Sequence, residues 1–446
     1  MPAKRIPKEQ IQTPKGTRDI LAQDAPYFER VIQVAEEITR FYGFMLIQTP
    51  HFEKTEIFER TLGEASDIVE KEMYNFRTRG GDHLTLRPEA TAGIARAYIQ
   101  HGMGSWPQPV KIYTHGSFFR HERPQRGRFR ELRQFDWEIL GEDDPITDSL
   151  VIRIMYTVLV ELGFKNIAVQ INSIGDTESR AVYRKELVAF YRKNVNTLCK
   201  DCKRRLKENP LRLLDCKEHT CIELREDAPQ IIKYLGDASK KRFKCLLEFL
   251  EEGDISYFIN PYLVRGLDYY TDTVFEIFVN CEDASGIMEQ ENTDGNKPTP
   301  LALGGGGRYD GLMKILGGKP TPGVGAALGI DRIVMEMKEQ GLKAAEEVRP
   351  HVFLVQLGPS AKRKSFGLME EFRKAHIPIM ESVGKDSIKS QLKIADKVEA
   401  DYTLILGQKE ALDGTVIVRE MTTGVQETVR MADVVQNVKD KLKKKR

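Results

Sequence analysis

The chain has 446 residues, with 68 Lys and Arg against 66 Asp and Glu and apolar residues at 41%. That length exceeds what one hydrophobic core supports, so two to four domains of ordinary soluble composition are expected. No apolar run approaches the ~20 residues of a bilayer span, and residues 1–12 (MPAKRIPKEQIQ) carry no apolar signal core, so a cytoplasmic protein without a membrane partner is expected.

The charge is unevenly spread. From Arg349 onward 19 Lys and Arg stand against 13 Asp and Glu, whereas the preceding residues hold 49 against 53. A basic C-terminal block suits a polyanionic partner, and also an ordinary solvated face.

Near the start lies Thr13-Pro14-Lys15-Gly16-Thr17-Arg18-Asp19. Asp24 and Pro26 then open a predicted helix, along which Phe28, Val31, Ile32, Ala35, Ile38 and Tyr42 recur on one apolar face. Gly43 ends it, and residues 45–48 read as a short strand leading to Pro50, Phe52 and Glu53. Further on, Pro88-Glu89-Ala90-Thr91 puts a carboxylate and a hydroxyl two residues apart at the start of a helix over 92–99. By itself that pattern fits a helix cap.

Residues 110–140 form the most informative stretch. Apolar alternation predicts a strand from Val110, a loop dense in Arg, Gln, Pro and Gly, and a returning strand over 132–140. Gln134, Asp136 and Glu138 share one face of that strand, because residues two apart point the same way. The hairpin sets guanidiniums, suited to phosphate, beside carboxylates, suited to an ammonium or an N–H donor.

Residues 173–255 change texture to long charged helical runs. Within them sit four of the six cysteines, as Cys199-x2-Cys202 and Cys216-x4-Cys221. In a cytosolic chain this spacing favours zinc over disulfides, although the second gap is wide; the alternative is reduced cysteines on a helical insert, with no firm metal site. Then come the stretch Leu263-Val264-Arg265-Gly266-Leu267-Asp268-Tyr269-Tyr270-Thr271 and a strand over 274–279. Residues 280–300 read as a long mobile loop. The run Gly304-Gly305-Gly306-Gly307-Arg308-Tyr309 lets backbone approach a ligand closely, but has neither dinucleotide nor P-loop spacing. Residues 322–332 read as a small-residue strand turning into a helix headed by Arg332. After a charged linker at 340–349, alternating strands and helices predict an α/β domain with a largely parallel sheet, ending in a frayed basic tail.

Phe119-Arg120-His121-Glu122 with Arg128 beyond resembles the second signature motif of class II aminoacyl-tRNA synthetases, and Leu263 to Thr271 resembles a block specific to histidyl-tRNA synthetases. The Lys15-Gly16-Thr17-Arg18-Asp19 stretch, the 25–53 segment and the 322–332 segment also resemble that family, over nearly the whole chain. The resemblance implies an α+β fold: a class II antiparallel sheet flanked by helices, with a helical insertion and a C-terminal α/β anticodon-binding domain. It divides the chain into a catalytic core at 1–172 and 256–339, an insertion at 173–255 lying on the tRNA acceptor arm, a linker at 340–349 and the anticodon-binding domain at 350–446. It also implies a homodimer built on the 25–53 segment, which periodicity alone would read as an ordinary core helix.

The implied activity joins L-histidine to tRNA(His) with ATP and Mg²⁺. Catalysis falls to Arg120 and Arg265, which clamp the α-phosphate and the histidine carboxylate. Glu89, Thr91 and Gln134 face the ammonium, Glu138 and Tyr269 address the two imidazole nitrogens, and Tyr270 and Tyr309 line the pocket. Glu122 reads the adenine amino group, with Arg128 beside it, and Arg332 takes the γ-phosphate. Leu132 stands where the class has an aromatic ring under adenine, which removes ring stacking. Arg123 and Gln125 are candidates for the tRNA acceptor end. The alternative is a catalytically silent relative that regulates ATP phosphoribosyltransferase. Such proteins lack the anticodon domain and key pocket residues, whereas Arg265 and the C-terminal domain are present here.

Overall fold

A computed structural model describes residues 11–63, 66–279, 301–345, 349–382 and 384–445. They fall into two units, Met1–Ala345 and Glu346–Arg446. The loop expected at 280–300 lies outside the described residues.

The first unit contains strands β1 (Met45–Leu46), β2 (Phe52–Lys54), β3 (Tyr74–Arg77), β4 (His83–Leu86), β5 (Val110–Phe119) and β6 (Glu131–Leu140). It continues with β7 (Ala168–Ser173), β8 (Tyr257–Ile259), β9 (Thr271–Phe278), β10 (Gly304–Arg308) and β11 (Gly323–Gly329). Eight of them make one sheet in the order β1-β5-β6-β11-β10-β9-β7-β8, and β2-β4-β3 form a small second sheet. The large sheet is antiparallel except at its two edges, where β1 joins β5 and β8 joins β7 in parallel.

Its middle is fixed by the β5–β6 hairpin, paired without interruption from Val110 opposite Leu140 to Phe119 opposite Glu131. Period-two alternation then sorts the residues of β6. Phe135, Trp137 and Ile139 enter a core shared with Val31 and Ala35 of the helix Ala25–Phe41, with Val158 of the helix Ile146–Glu161 and with Ile333 of the helix Ile330–Glu339. Trp137 is fully buried and its indole N–H donates to the Thr39 hydroxyl at 2.7 Å; truncation to Ala there would cost about 3–5 kcal/mol. Gln134, Asp136 and Glu138 consequently turn to the opposite face, which is the face that matters for chemistry.

After β7 the chain is helical: Thr177–Lys193, Lys200–Glu208, His219–Glu226 and Asp237–Glu252, with short 3₁₀ turns at Pro210–Asp215 and Ile231–Tyr234. The last helix buries Phe243, Leu246 and Leu250 in the same core as Trp137, so it covers the main sheet. The glycine-rich run is a strand inside the sheet.

In the second unit β12 (Val352–Gln356), β13 (Ile379–Glu381), β14 (Tyr402–Leu406), β15 (Thr415–Glu420) and β16 (Gln426–Arg430) form a sheet ordered β13-β12-β14-β15-β16. The largely parallel sheet expected from alternation is only half so. β12 is parallel to β13 and β14, while β14–β15 and β15–β16 are antiparallel. The polar, Gly-containing turn around Gly424 folds β16 straight back onto β15 without a crossover helix. The basic end is not a frayed tail: Val434–Lys445 is a helix, with Val434 and Val438 buried in this unit's core.

Candidate active site

Three buried carboxylates meet above the middle of the large sheet. Glu138 of β6 lies opposite Gly325 of β11, and a Cβ on Gly325 would fall on its carboxylate. A glycine is therefore required there. The Thr91 hydroxyl donates to Oε1 of Glu138 at 2.6 Å, and the Tyr309 hydroxyl donates to Oε2. Asp136 is next along the same face. Glu89 approaches from the turn before the helix Thr91–Gln100, accepting the backbone N–H of Thr91 at 2.6 Å and of Ala92 at 2.9 Å. The helix-cap reading of Glu89 is therefore realised, with both carboxylate oxygens on backbone N–H groups.

Burial pushes the pKa of all three acids up, strongly for Asp136 and Glu138. Repulsion from Glu89 adds to the shift at Asp136, and repulsion from Asp136 and Glu89 adds to it at Glu138. Asp136 Oδ2 and Gln134 Oε1 are buried without a hydrogen-bond partner. Buried acceptors left open beside clustered acids favour a cationic, N–H-rich ligand.

Tyrosines wall this end. The Tyr269 ring lies 4.7 Å from Tyr270 and meets Tyr309 edge-on at 5.7 Å. Tyr309 is held by its neighbour Arg308, which is fully buried and grips Asp148 at 2.6 Å, Thr147 at 2.9 Å and Asp310 at 3.1 Å. Asp148 and Arg308 are 160 residues apart, and no sequence pattern links them.

Guanidiniums gather at the other end. Arg265 pairs with Glu276 of β9, and its Nε is buried without a partner. A Cβ on Gly305 would sit 2.9 Å from Arg265 Nη1 and 2.5 Å from the Phe275 carbonyl, so the glycine strand makes room for this arginine. Arg120 donates to the Pro88 carbonyl at 2.8 Å. Arg332 donates to the carbonyls of Gly127 at 3.0 Å and Ala302 at 2.7 Å. Burial, then the charges of Arg128 and Arg120, lower the pKa of Arg332. Arg120 and Arg332 thus have backbone partners in place of carboxylates, and cations close enough to repel one another make a polyanion site.

The remaining candidates are less tightly gathered. Glu122 pairs through Oε2 with Arg128 at 3.0 Å. Leu132 stands opposite Phe118 in the β5–β6 register and is partly buried. Arg123 and Gln125 are exposed in the loop, which closes through a Gln125–Arg128 bridge and through Arg126 on Glu336 and Glu339. Outside this pocket, the Sγ atoms of Cys199, Cys202, Cys216 and Cys221 lie within 4.8 Å of one another.

Sequence reasoning gave no role to Asp136, Arg87, Glu276 or Asp148. Asp136 was visible in the alternation between Gln134 and Glu138, and Glu276 as a polar position inside an apolar strand. Buried Arg87 carried no comparable mark; it bonds to the carbonyls of Ser117 at 3.0 Å and Thr49 at 3.2 Å.

The histidyl-tRNA synthetase family profile matches residues 16–333, and an anticodon-binding-domain profile matches residues 351–441. A histidine–tRNA ligase of Caldicellulosiruptor saccharolyticus is 41% identical over 432 residues, covering 97% of this chain and all of that protein. One from Dehalococcoides mccartyi is 42% identical over 431 residues, again covering 97% of this chain and all of the relative. Among solved structures, apo S. aureus histidyl-tRNA synthetase superposes with a TM-score of 0.77 at 33% identity, over 96% of this chain and all of that one.

Proposed function

The chain belongs to the histidyl-tRNA synthetase family and is a histidine–tRNA ligase, and from that premise we propose how its pocket divides the work. Glu89, Thr91 and Gln134 take the α-ammonium of histidine. Glu138 and Tyr269 take the two imidazole nitrogens, with Tyr270 and Tyr309 as walls. The observation that carries this assignment is the group of three buried acids with open acceptors at Asp136 and Gln134. A site that hydrogen-bonds both ring nitrogens rejects competitors lacking them by ~10⁴ or more without editing.

In the first step the histidine carboxylate attacks the α-phosphorus of ATP and pyrophosphate leaves. In the second, a hydroxyl of the terminal ribose of tRNA attacks the activated carbonyl and AMP leaves. Little covalent work falls to the protein; alignment and neutralisation of charge building on phosphate oxygens are what it supplies. Arg120 and Arg265 perform the clamp, with Arg265 aimed by Glu276, and Arg332 takes the γ-phosphate. Glu122 reads the adenine amino group through Oε1, its other oxygen being held by Arg128. Leu132 packs under the base. Mg²⁺ fits the phosphate corner: Glu276 keeps a hard carboxylate oxygen free of Arg265 within electrostatic reach of Arg332, and the ion would neutralise phosphate charge there.

The helical stretch at 173–255 lies on the acceptor arm, Arg123 and Gln125 meet the acceptor end, and the basic second unit reads the anticodon. No helix among the described residues is long and apolar enough to cross a membrane, and a tRNA substrate suits a cytoplasmic enzyme. Two chains pair through the 25–53 segment, supported by exposed apolar side chains at Phe41, Met45, Leu46 and Phe52. Histidine-dependent exchange of pyrophosphate into ATP tests the reading. A folded chain that binds tRNA but shows no exchange would instead be a silent regulatory relative.

A further inference from the structure

We propose that Cys199, Cys202, Cys216 and Cys221 hold one Zn²⁺ in a closed, four-thiolate structural site. All four Sγ atoms lie within 4.8 Å of one another, and Cys199 and Cys216 are 3.8 Å apart. A regular tetrahedron with Zn–S bonds of ~2.3 Å has sulfur–sulfur edges of ~3.8 Å. A disulfide requires about 2.05 Å between sulfurs, and these cysteines are free. The spacing left zinc and reduced thiols as alternatives; the convergence of four sulfurs on one centre favours the metal.

The backbone around the cluster is arranged for thiolates. Cys199 caps the helix Lys200–Glu208, and its sulfur accepts the Cys202 N–H at 3.4 Å. The Cys221 sulfur accepts the Cys199 N–H at 3.4 Å. Amides aimed at sulfur favour the negative form that ligates a metal. Cysteines packed only as small apolar groups would need neither these amides nor sulfurs at four vertices. Three of the four are buried, so no coordination position opens to substrate, which marks a structural rather than a catalytic site.

The chain between the two cysteine pairs reaches back to the candidate active site. Arg205 and Arg212 both pair with Asp67, at 3.1 Å and 3.0 Å, and the Asn209 amide donates to Asp268 at 2.7 Å, next to Tyr269. The metal would thus close the loop that braces the histidine-binding segment.

The test is elemental analysis of the full chain, expressed with zinc present and dialysed against a mild chelator. One zinc per chain is expected, retained by Cys245→Ser and lost by Cys216→Ser. Replacement by Co²⁺ should give the sulfur-to-cobalt charge-transfer and visible bands of a tetrahedral thiolate site. Cobalt spectra on the unmutated chain do not depend on whether Cys216→Ser folds. A folded, reduced chain that holds no stoichiometric metal and gives no such spectrum overturns the proposal, as does stoichiometric iron in place of zinc.

Discussion

Glu138 offers the sharpest test of the pocket. In the structure its two oxygens accept the hydroxyls of Thr91 and Tyr309, and no arginine pairs with it among the described residues. An imidazole N–H meeting this carboxylate makes a charge-assisted hydrogen bond worth about 1.5–3 kcal/mol. At about 1.4 kcal/mol per tenfold, Glu138→Ala should weaken use of histidine by ~10- to 200-fold. The same change orphans two hydroxyls but also removes repulsion from Asp136 and Glu89. These opposing effects on stability should leave the thermal midpoint less changed than KM. Glu138→Gln keeps one acceptor oxygen at the same reach, so its loss should be smaller. ATP use should move little, because the Glu138 end of the pocket is separate from the arginine cluster. Pyrophosphate exchange at saturating ATP, with histidine varied and thermal melts in parallel, reads all of this. An unchanged KM for histidine with a lowered melting point would remove Glu138 from the site.

Other consequences follow from the same geometry. Arg265→Lys keeps the charge but loses the fork that Glu276 orients, and should cost about 3–4 kcal/mol of the adenylation barrier; a loss under about tenfold in exchange would refute the clamp. Ending the chain after Ala345, the boundary between the two units, should spare exchange and cripple tRNA charging; equal loss of both would mean that the second unit props up the first. Burial raises the pKa of Glu89, Asp136 and Glu138. Their contribution to stability is then fully present below the ordinary carboxylate range and is lost as pH rises through the elevated values. A cationic ligand favours the ionised acids, so histidine should bind with release of protons. Calorimetry in two buffers of different ionisation enthalpy measures this, and net proton uptake would contradict it.

Much of the site was legible in the chain because it rests on short-range periodicity. Gln134, Asp136 and Glu138 had to share a face once residues 132–140 were read as a strand. The Ala25–Phe41 helix showed its buried stripe in the spacing of Phe28, Val31 and Ala35. The motif resemblance then attached chemistry to Arg120 and Arg265. Where a segment is polar, that periodicity is silent. β16 is almost wholly exposed, and the Val434–Lys445 helix is too hydrophilic to show its buried Val434 and Val438, so neither the hairpin nor the helix is legible in the sequence. The charged run at 237–252 likewise hid a face that packs on the main sheet.

Tertiary structure alone decided which distant groups meet. Arg308 finds Asp148 across 160 residues, and Glu138 receives Thr91 and Tyr309 from 47 and 171 residues away. Such pairings are set by strand order and by which glycines let strands close up, as Gly325 does against Glu138, and neither is a property of a sequence window. The cysteines show the same division. Their spacing named the possible ligands, but only the packing of the helices Lys200–Glu208 and His219–Glu226 brings four sulfurs to one point.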